Sequence, residues 1–361
     1  MPHRSLLARH RLRWPGLLAL SALFALGLDA LHLPAGLLLG PMVAAIVFAL
    51  AGAQAYLPRP AFVAAQGVIG CLIARGIPVS FLSTLADHWA VFVFGVLAVS
   101  VLATGLGWLL SQWRVLPGTT AVWGSTPGGA AAMVIMAEAY GADVRLVAFM
   151  QYLRVACVTI SASLFAHWWI HSGPEVAAPA SLLASLLRPP ARWDGLLATL
   201  VLALGGSALG ARLRLPAGGL LLPLVAGIAM QDGAGIPIQL PPALLAVAYA
   251  CIGWTIGARF NREVLALTLR SLPKLLASVI TLIVLCGLFA AALVRWAHVD
   301  PLTAFLATSP GGADSVAIIA ASSPVDMPFV LTMQVLRMLF VMATGPAIAR
   351  LLAERLQRRG H

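Results

Sequence analysis

Residues Trp89 to Leu110 run without one charged side chain, and so do Leu275 to Val294. Each stretch matches the ~20 residues a helix needs to cross the hydrocarbon core of a bilayer. In that medium every backbone N–H and C=O must be satisfied inside the protein, so a chain built from such segments folds as helices. Of the 361 residues, 61% are apolar and only 10% charged, against roughly 25% charge in a soluble domain. The longest polar gap, residues 171–192, holds Pro174, Pro179, Pro189 and Pro190 and reads as a linker. The net charge of +11 would point to nucleic acid on a soluble protein. Here it reads as basic residues gathered on the cytoplasmic side of a membrane protein, with no direct nucleic-acid binding. Cys71, Cys157, Cys251 and Cys286 lie in apolar segments without paired spacing and read as small buried side chains.

The chain is a duplication. RWPGLLA at 13–19 recurs as RWDGLLA at 192–198, PAGLLLGP at 34–41 as PAGGLLLP at 216–223, TPGGA at 126–130 as SPGGA at 309–313, and MQYLR at 150–154 as MQVLR at 333–337. Four matches in one order at nearly one spacing mark an internal repeat. Membrane repeat 1 covers 15–170 and membrane repeat 2 covers 193–350, with an N-terminus (1–14) and a C-terminus (351–361) that read as cytoplasmic. Because the first apolar segment belongs to the repeat, it reads as a retained helix rather than a cleaved signal.

Each copy holds six apolar segments, and the fifth of each is broken by Pro-Gly-Gly. Pro and Gly weaken a helix interior, so the question is whether this segment crosses the bilayer. Basic residues in loops decide it. With all twelve segments crossing, the bias is weak. With the fifth segment of each copy dipping in and returning, 17 of the 23 Lys and Arg residues fall inside and four outside. Five crossings per copy is odd, so the second copy enters the membrane inverted. The expected fold is therefore an all-α polytopic membrane protein with two inverted repeats, each of five transmembrane helices plus one re-entrant broken hairpin. Inverted repeats with interrupted segments near the midplane are a transporter architecture.

Two arginines remain inside helices. Arg154 and Arg337 sit near the middle of the sixth segment of their copies, 27 residues after the hairpin proline. A charge at that depth costs roughly 2.5–3.5 kcal/mol and marks a functional candidate. Gln151 and Gln334 lie three residues earlier, on the same helix face. A guanidinium fork suits a carboxylate or phosphate. Around it we expect one substrate-binding site. Arg154 and Arg337 would be its cations, and Gln151 and Gln334 would orient them or bind solute. Ser125, Thr126, Thr308 and Ser309 would supply hydroxyls, and Gly128, Gly129, Gly311 and Gly312 would form the tips, whose following helix N-termini favour an anion. The alternatives are packing kinks at the glycines and internal counter-ions for the arginines from Glu138, Asp143, Asp314 or Asp326. Asp314 and Glu138 are also candidates for ion or proton coupling. His167 and His171 flank two tryptophans, an aromatic-belt position rather than a metal site. Gly105, Gly107, Gly205, Gly206 and Gly210 read as helix-packing residues. No cofactor is expected.

The doubled PAGLLLGP, TPGGA and MQxLR motifs resemble the AbrB-type duplicated membrane proteins of Gram-negative bacteria, over nearly the whole chain. Members carry names such as "AbrB family transcriptional regulator" and "ammonia monooxygenase". The family is similar in outline to the cation–proton antiporter and anion-transporter superfamily, which implies inverted repeats and broken helices. The hairpins also resemble those of citrate-type secondary carriers. The function expected is an inner-membrane secondary transporter or exporter of a small anion, such as a carboxylate, working by alternating access. The alternative is a membrane sensor that influences gene expression indirectly. Third comes an oxygenase-like enzyme, which the paucity of metal-ligand residues argues against. The partners expected are a small anionic solute and the lipid bilayer, and a homodimer is compatible with either role.

Overall fold

The computed structural model describes residues 3–31, 33, 35–53, 57–78, 85–113, 120–126, 133, 137, 142–171, 186, 193–213, 215, 217–260, 262–269 and 271–359. Within them no strand occurs and the elements are helices. The first copy holds α1 (His3–Ala30), α2 (Gly36–Leu50), α3 (Arg59–Gly76), α4 (Trp89–Gln112), α5 (Thr120–Ser125) and α6 (Val144–His171). The second holds α7 (Trp193–Arg212), α8 (Gly218–Gly233), α9 (Pro242–Gly257), α10 (Arg262–Thr268), α11 (Leu272–Ala297), α12 (Pro301–Thr308), α13 (Ala313–Ala321) and α14 (Met327–Arg359). Five helices are long and apolar enough to cross a membrane: α4, α6, α7, α11 and the Met327–Gly345 part of α14. Their outer faces carry exposed Phe94, Leu288 and Trp296, an apolar surface that belongs in lipid. This is a helical membrane protein.

The duplication is visible in local geometry. Each PAG motif puts its alanine in the left-handed region just before a helix, Ala35 at φ 60° and Ala217 at φ 51°. An L-residue there costs roughly 1–2 kcal/mol, and the protein keeps that conformation in both copies. The Asp143 N–H donates to Thr120 Oγ1 at 3.2 Å, and the Asp326 N–H donates to Thr303 Oγ1 at 3.1 Å, both 23 residues apart.

Those last two bonds shape the broken segments. In copy two, α12 ends at Thr308, Ser309 and Gly312 take extended conformations, and α13 begins at Ala313. The two arms span eight and nine residues, roughly 12–14 Å each at 1.5 Å per residue. Only four residues separate the end of α13 from Asp326, and Asp326 is bonded back to Thr303 at the start of α12. The two ends of the segment therefore lie beside each other. In copy one, the Asp143–Thr120 bond closes the segment in the same way. Its Pro127 to Ala130 tip and Glu138 lie outside the described residues.

The chain packs as two compact units that cut across the repeats, 1–75 with 163–265 and 76–162 with 266–361. In the first, helix two of copy one packs on helix three of copy two, and helix three of copy one on helix two of copy two. Glycine makes both contacts possible. A Cβ on Gly253 of α9 would lie 2.6 Å from the Leu38 carbonyl oxygen of α2, and one on Gly70 of α3 would collide with the Leu220 carbonyl of α8. Small residues at helix contacts let backbones approach where lipid offers no hydrophobic drive. Gly107, Gly206 and Gly210 likewise face close neighbours. Among the described residues Gly105 and Gly205 face nothing within 4 Å, in contrast to the packing role expected of them. In the second unit, α4 packs on α5 and α11 on α12. That unit contains both broken segments and both membrane arginines.

Candidate functional site: two arginine–glutamine clamps

The carbonyls at the end of a helix have no partner in their own helix. In α5 and α12 these ends are buried, because each helix stops at its Pro-Gly-Gly break. The sixth helix of each copy supplies the missing donors. Arg154 Nη1 donates to the carbonyls of Ser125 (3.1 Å) and Thr126 (3.2 Å). Arg337 Nη1 donates to the Ser309 carbonyl, and its Nη2 to that of Gly311 at 2.7 Å. The negative end of each helix dipole adds to the attraction.

The glutamine one turn earlier fixes each guanidinium. Gln151 Oε1 accepts from Arg154 Nη2 at 2.9 Å, and Gln334 Oε1 accepts from Arg337 Nη2 at 2.7 Å. The other side of each amide faces the same helix end. Gln151 Nε2 donates to the Trp123 and Thr126 carbonyls, both at 2.9 Å. Gln334 Nε2 donates to the Leu306 carbonyl at 2.7 Å and the Ser309 carbonyl at 3.2 Å. With oxygen toward the arginine and nitrogen toward the carbonyls, each glutamine has one workable orientation.

Both arginines are 3% exposed, and each Nε–H has no acceptor among the described residues. A buried donor left unmade costs roughly 1–3 kcal/mol. Among the described residues, the partners of both guanidiniums are carbonyl and amide oxygens, none of them a carboxylate. The two guanidiniums and the Cys286 side chain of α11 lie within Coulombic reach of one another. The Cys286 carbonyl accepts from Thr308 Oγ1 at 3.3 Å. Sequence reasoning treated this cysteine as a packing residue and had no signal that α11 brings it beside both clamps.

Of the acids expected as counter-ions, Asp143, Asp314 and Asp326 accept from backbone N–H groups, and Glu138 lies outside the described residues. Asp143 Oδ1 accepts from the N–H groups of Arg145 (2.9 Å) and Leu146 (3.2 Å), capping α6. Asp326 Oδ1 accepts from the Phe329 N–H at 3.0 Å, capping α14. Asp314 Oδ1 accepts from the Ser315 N–H at 2.9 Å, so the positive end of α13 already carries a carboxylate. The hydroxyl ligands expected at the breaks are also largely spent. Thr126 Oγ1 donates to the Val122 carbonyl at 2.8 Å, Thr308 Oγ1 to that of Ala304 at 2.9 Å, and Ser309 Oγ to that of Leu306 at 2.9 Å. Ser125 and Ser309 meet the arginines through main-chain oxygens. Gly311 takes part through its carbonyl and Gly312 precedes α13, while Gly128 and Gly129 lie outside the described residues. A small cavity of about 20 Å³, room for one water, opens beside Arg154 between Ser125, Met150 and Ser278.

The model of the family described as transition state regulatory protein AbrB matches residues 37–353. The chain belongs to the AbrB family. It is similar to "Putative regulator AbrB" of Escherichia coli (strain K12), with 47% identity over 343 residues, 95% of this chain and 97% of that protein. It is also similar to "Uncharacterized protein YhjN" of Bacillus subtilis (strain 168), with 28% identity over 299 residues, 80% of this chain and 77% of that one. Both matches are longer than one copy of the repeat and so extend into both halves of the duplication.

Proposed function

We propose that this AbrB-family protein is an inner-membrane secondary carrier of an anionic carboxylate, working by alternating access. Its halves lie inverted in the bilayer and its termini face the cytoplasm. The observation that carries the reading is the pair of Arg–Gln clamps: two buried cations near one another, each with one donor unused and no carboxylate partner among the described residues. A solute carboxylate approaching the breaks would find two Nε–H donors and excess positive charge, with Asp314 balancing one charge. Charge-assisted bonds of that kind are short and about twice as strong as neutral ones. Asp314, and Glu138 in copy one, are the groups we assign to ion or proton coupling. No oxidative or hydrolytic chemistry is proposed.

The test is uptake of labelled organic acids into liposomes containing the purified protein. Flux should fall at least tenfold in Arg154→Gln and in Arg337→Gln, with thermal melting showing that both fold. Absence of flux for every acid, with binding retained, would favour the second reading. In that reading the same pocket is a sensor in a membrane regulator, the role that the names of the family and of its Escherichia coli relative carry.

A further inference from the structure

We infer that the solute is amphiphilic, a carboxylate with a medium-length apolar chain, and that it reaches Arg154 from the side through a groove between α4 and α11. The inference rests on the carrier reading for the role of Arg154 and adds the substrate class and the route.

The helices α4 and α11 meet at one level, where Val99 and Ala103 pack against Leu282 and Cys286. Toward the C-terminal end of α4 and the N-terminal end of α11 they part. Leu106, Leu109, Leu110 and Trp113 follow i, i+3, i+4, i+7 spacing, and so do Lys274, Ala277, Ser278 and Thr281. Such stripes ordinarily interlock as a helix seam. Here they line a cavity of about 430 Å³. That is a ligand-sized volume, and at roughly 30 Å³ per small group it admits about a dozen heavy atoms.

The lining is chemically one-sided. It is apolar except for Lys274 and two hydroxyls, and one hydroxyl is already spent, since Thr281 Oγ1 donates to the Ala277 carbonyl at 2.7 Å. No acidic side chain among the described residues lines it. A small hydrophilic anion gains nothing from such walls, whereas an alkyl chain gains about 0.8 kcal/mol per buried methylene. Lys274 sits at the outer end beside the exposed Trp113, a pairing typical of the lipid–water interface, and there it attracts a carboxylate.

The inner end leads to the clamp. Leu106 and Ser278 line both the groove and the small cavity that Arg154 and Ser125 border. From Lys274 to Ser278 is one helical turn, so the path inward from the interfacial cation is short. The inner cavity holds only one water, so Leu106, shared by both spaces, is the side chain that must move for a carboxylate to pass.

The experiment uses the full chain in zwitterionic lipid nanodiscs and a dodecanoate carrying a photoreactive diazirine on its chain, with labelled peptides mapped by mass spectrometry. Labelling is expected in 106–113 and 274–281. It should be competed by dodecanoate but not by acetate or citrate, and reduced at least tenfold in Ala277→Trp and several-fold in Lys274→Gln. Ser278→Phe, which plugs the inner end, should keep the label and abolish dodecanoate flux, so it serves even if Ala277→Trp fails to fold. Labelling elsewhere, equal competition by acetate, or displacement by anionic phospholipid but not by dodecanoate would overturn the inference. Flux of small acids unchanged by Ala277→Trp would overturn it while leaving the carrier reading intact. Groove labelling without flux of any acid would leave the groove as a binding site and count against the carrier reading instead.

Discussion

Asp326 donates its backbone N–H to the hydroxyl of Thr303 at 3.1 Å, and this single bond ties the exit of a broken segment to its entrance. Asp143 and Thr120 make the same bond in the first copy. A segment that crossed the bilayer would hold these ends a membrane thickness apart. Replacing Thr303 by Ala removes the acceptor and should cost about 1 kcal/mol, whereas Thr303→Ser should be nearly neutral. Thermal melting of both variants, and of the Thr120 pair, measures this; equal loss in Ala and Ser would point to packing of the methyl group instead.

Gln334 holds Arg337 and two or three carbonyls together. Gln334→Leu strands those groups in the interior, at roughly 1–3 kcal/mol for each one left unmade, so a large drop in melting temperature is expected. Gln334→Glu supplies a permanent counter-ion to Arg337. It should abolish binding of an anionic solute, read by equilibrium binding of a labelled carboxylate, even in the fraction of protein that folds.

Packing glycines are separable from idle ones. Gly253→Ala places a methyl 2.6 Å from the Leu38 carbonyl oxygen and should destabilise by about 1–3 kcal/mol. Gly105→Ala meets nothing within 4 Å and should be neutral or stabilising by up to about 1 kcal/mol through helix propensity. Melting curves in one detergent give the comparison.

Ala217 is held at φ 51°. Gly adopts that conformation freely, at some extra cost in unfolded-chain entropy, so Ala217→Gly should stabilise by up to about 1 kcal/mol. A destabilised variant would show that the Ala217 methyl contributes packing that outweighs the strain.

Much of this was legible in the sequence because lipid leaves the chain few choices. The apolar lengths and the duplication mark out the helical segments, and among the described residues five helices are long and apolar enough to cross a membrane where ten crossings were expected. The partners of the arginines were not legible. A charge at depth calls for compensation, but the pattern does not say whether a carboxylate or a row of helix-end carbonyls provides it. Asp143 and Asp326 were candidates for pairing and proved to be caps, a role their position just before α6 and α14 makes plain once the helix starts are known. Hydroxyls at the breaks were expected to face solute. Their bonds to carbonyls one turn back compete with that role, and no spacing rule distinguishes the two. The interleaving of copies into two units and the groove beside α11 depend on long-range packing, which no local pattern encodes.

The proposed function of the clamps depends on the halves lying inverted in the bilayer, and the topology of two equivalent loops tests that most directly. In a cysteine-free background that retains fold, single cysteines are placed beside Asp143 and beside Asp326 and labelled with a membrane-impermeant maleimide from each side of sealed vesicles. Labelling of the Asp143 site from the cytoplasmic side and of the Asp326 site from the opposite side is expected. Labelling of both sites from one side would place the halves in parallel and contradict the shared two-clamp anion site.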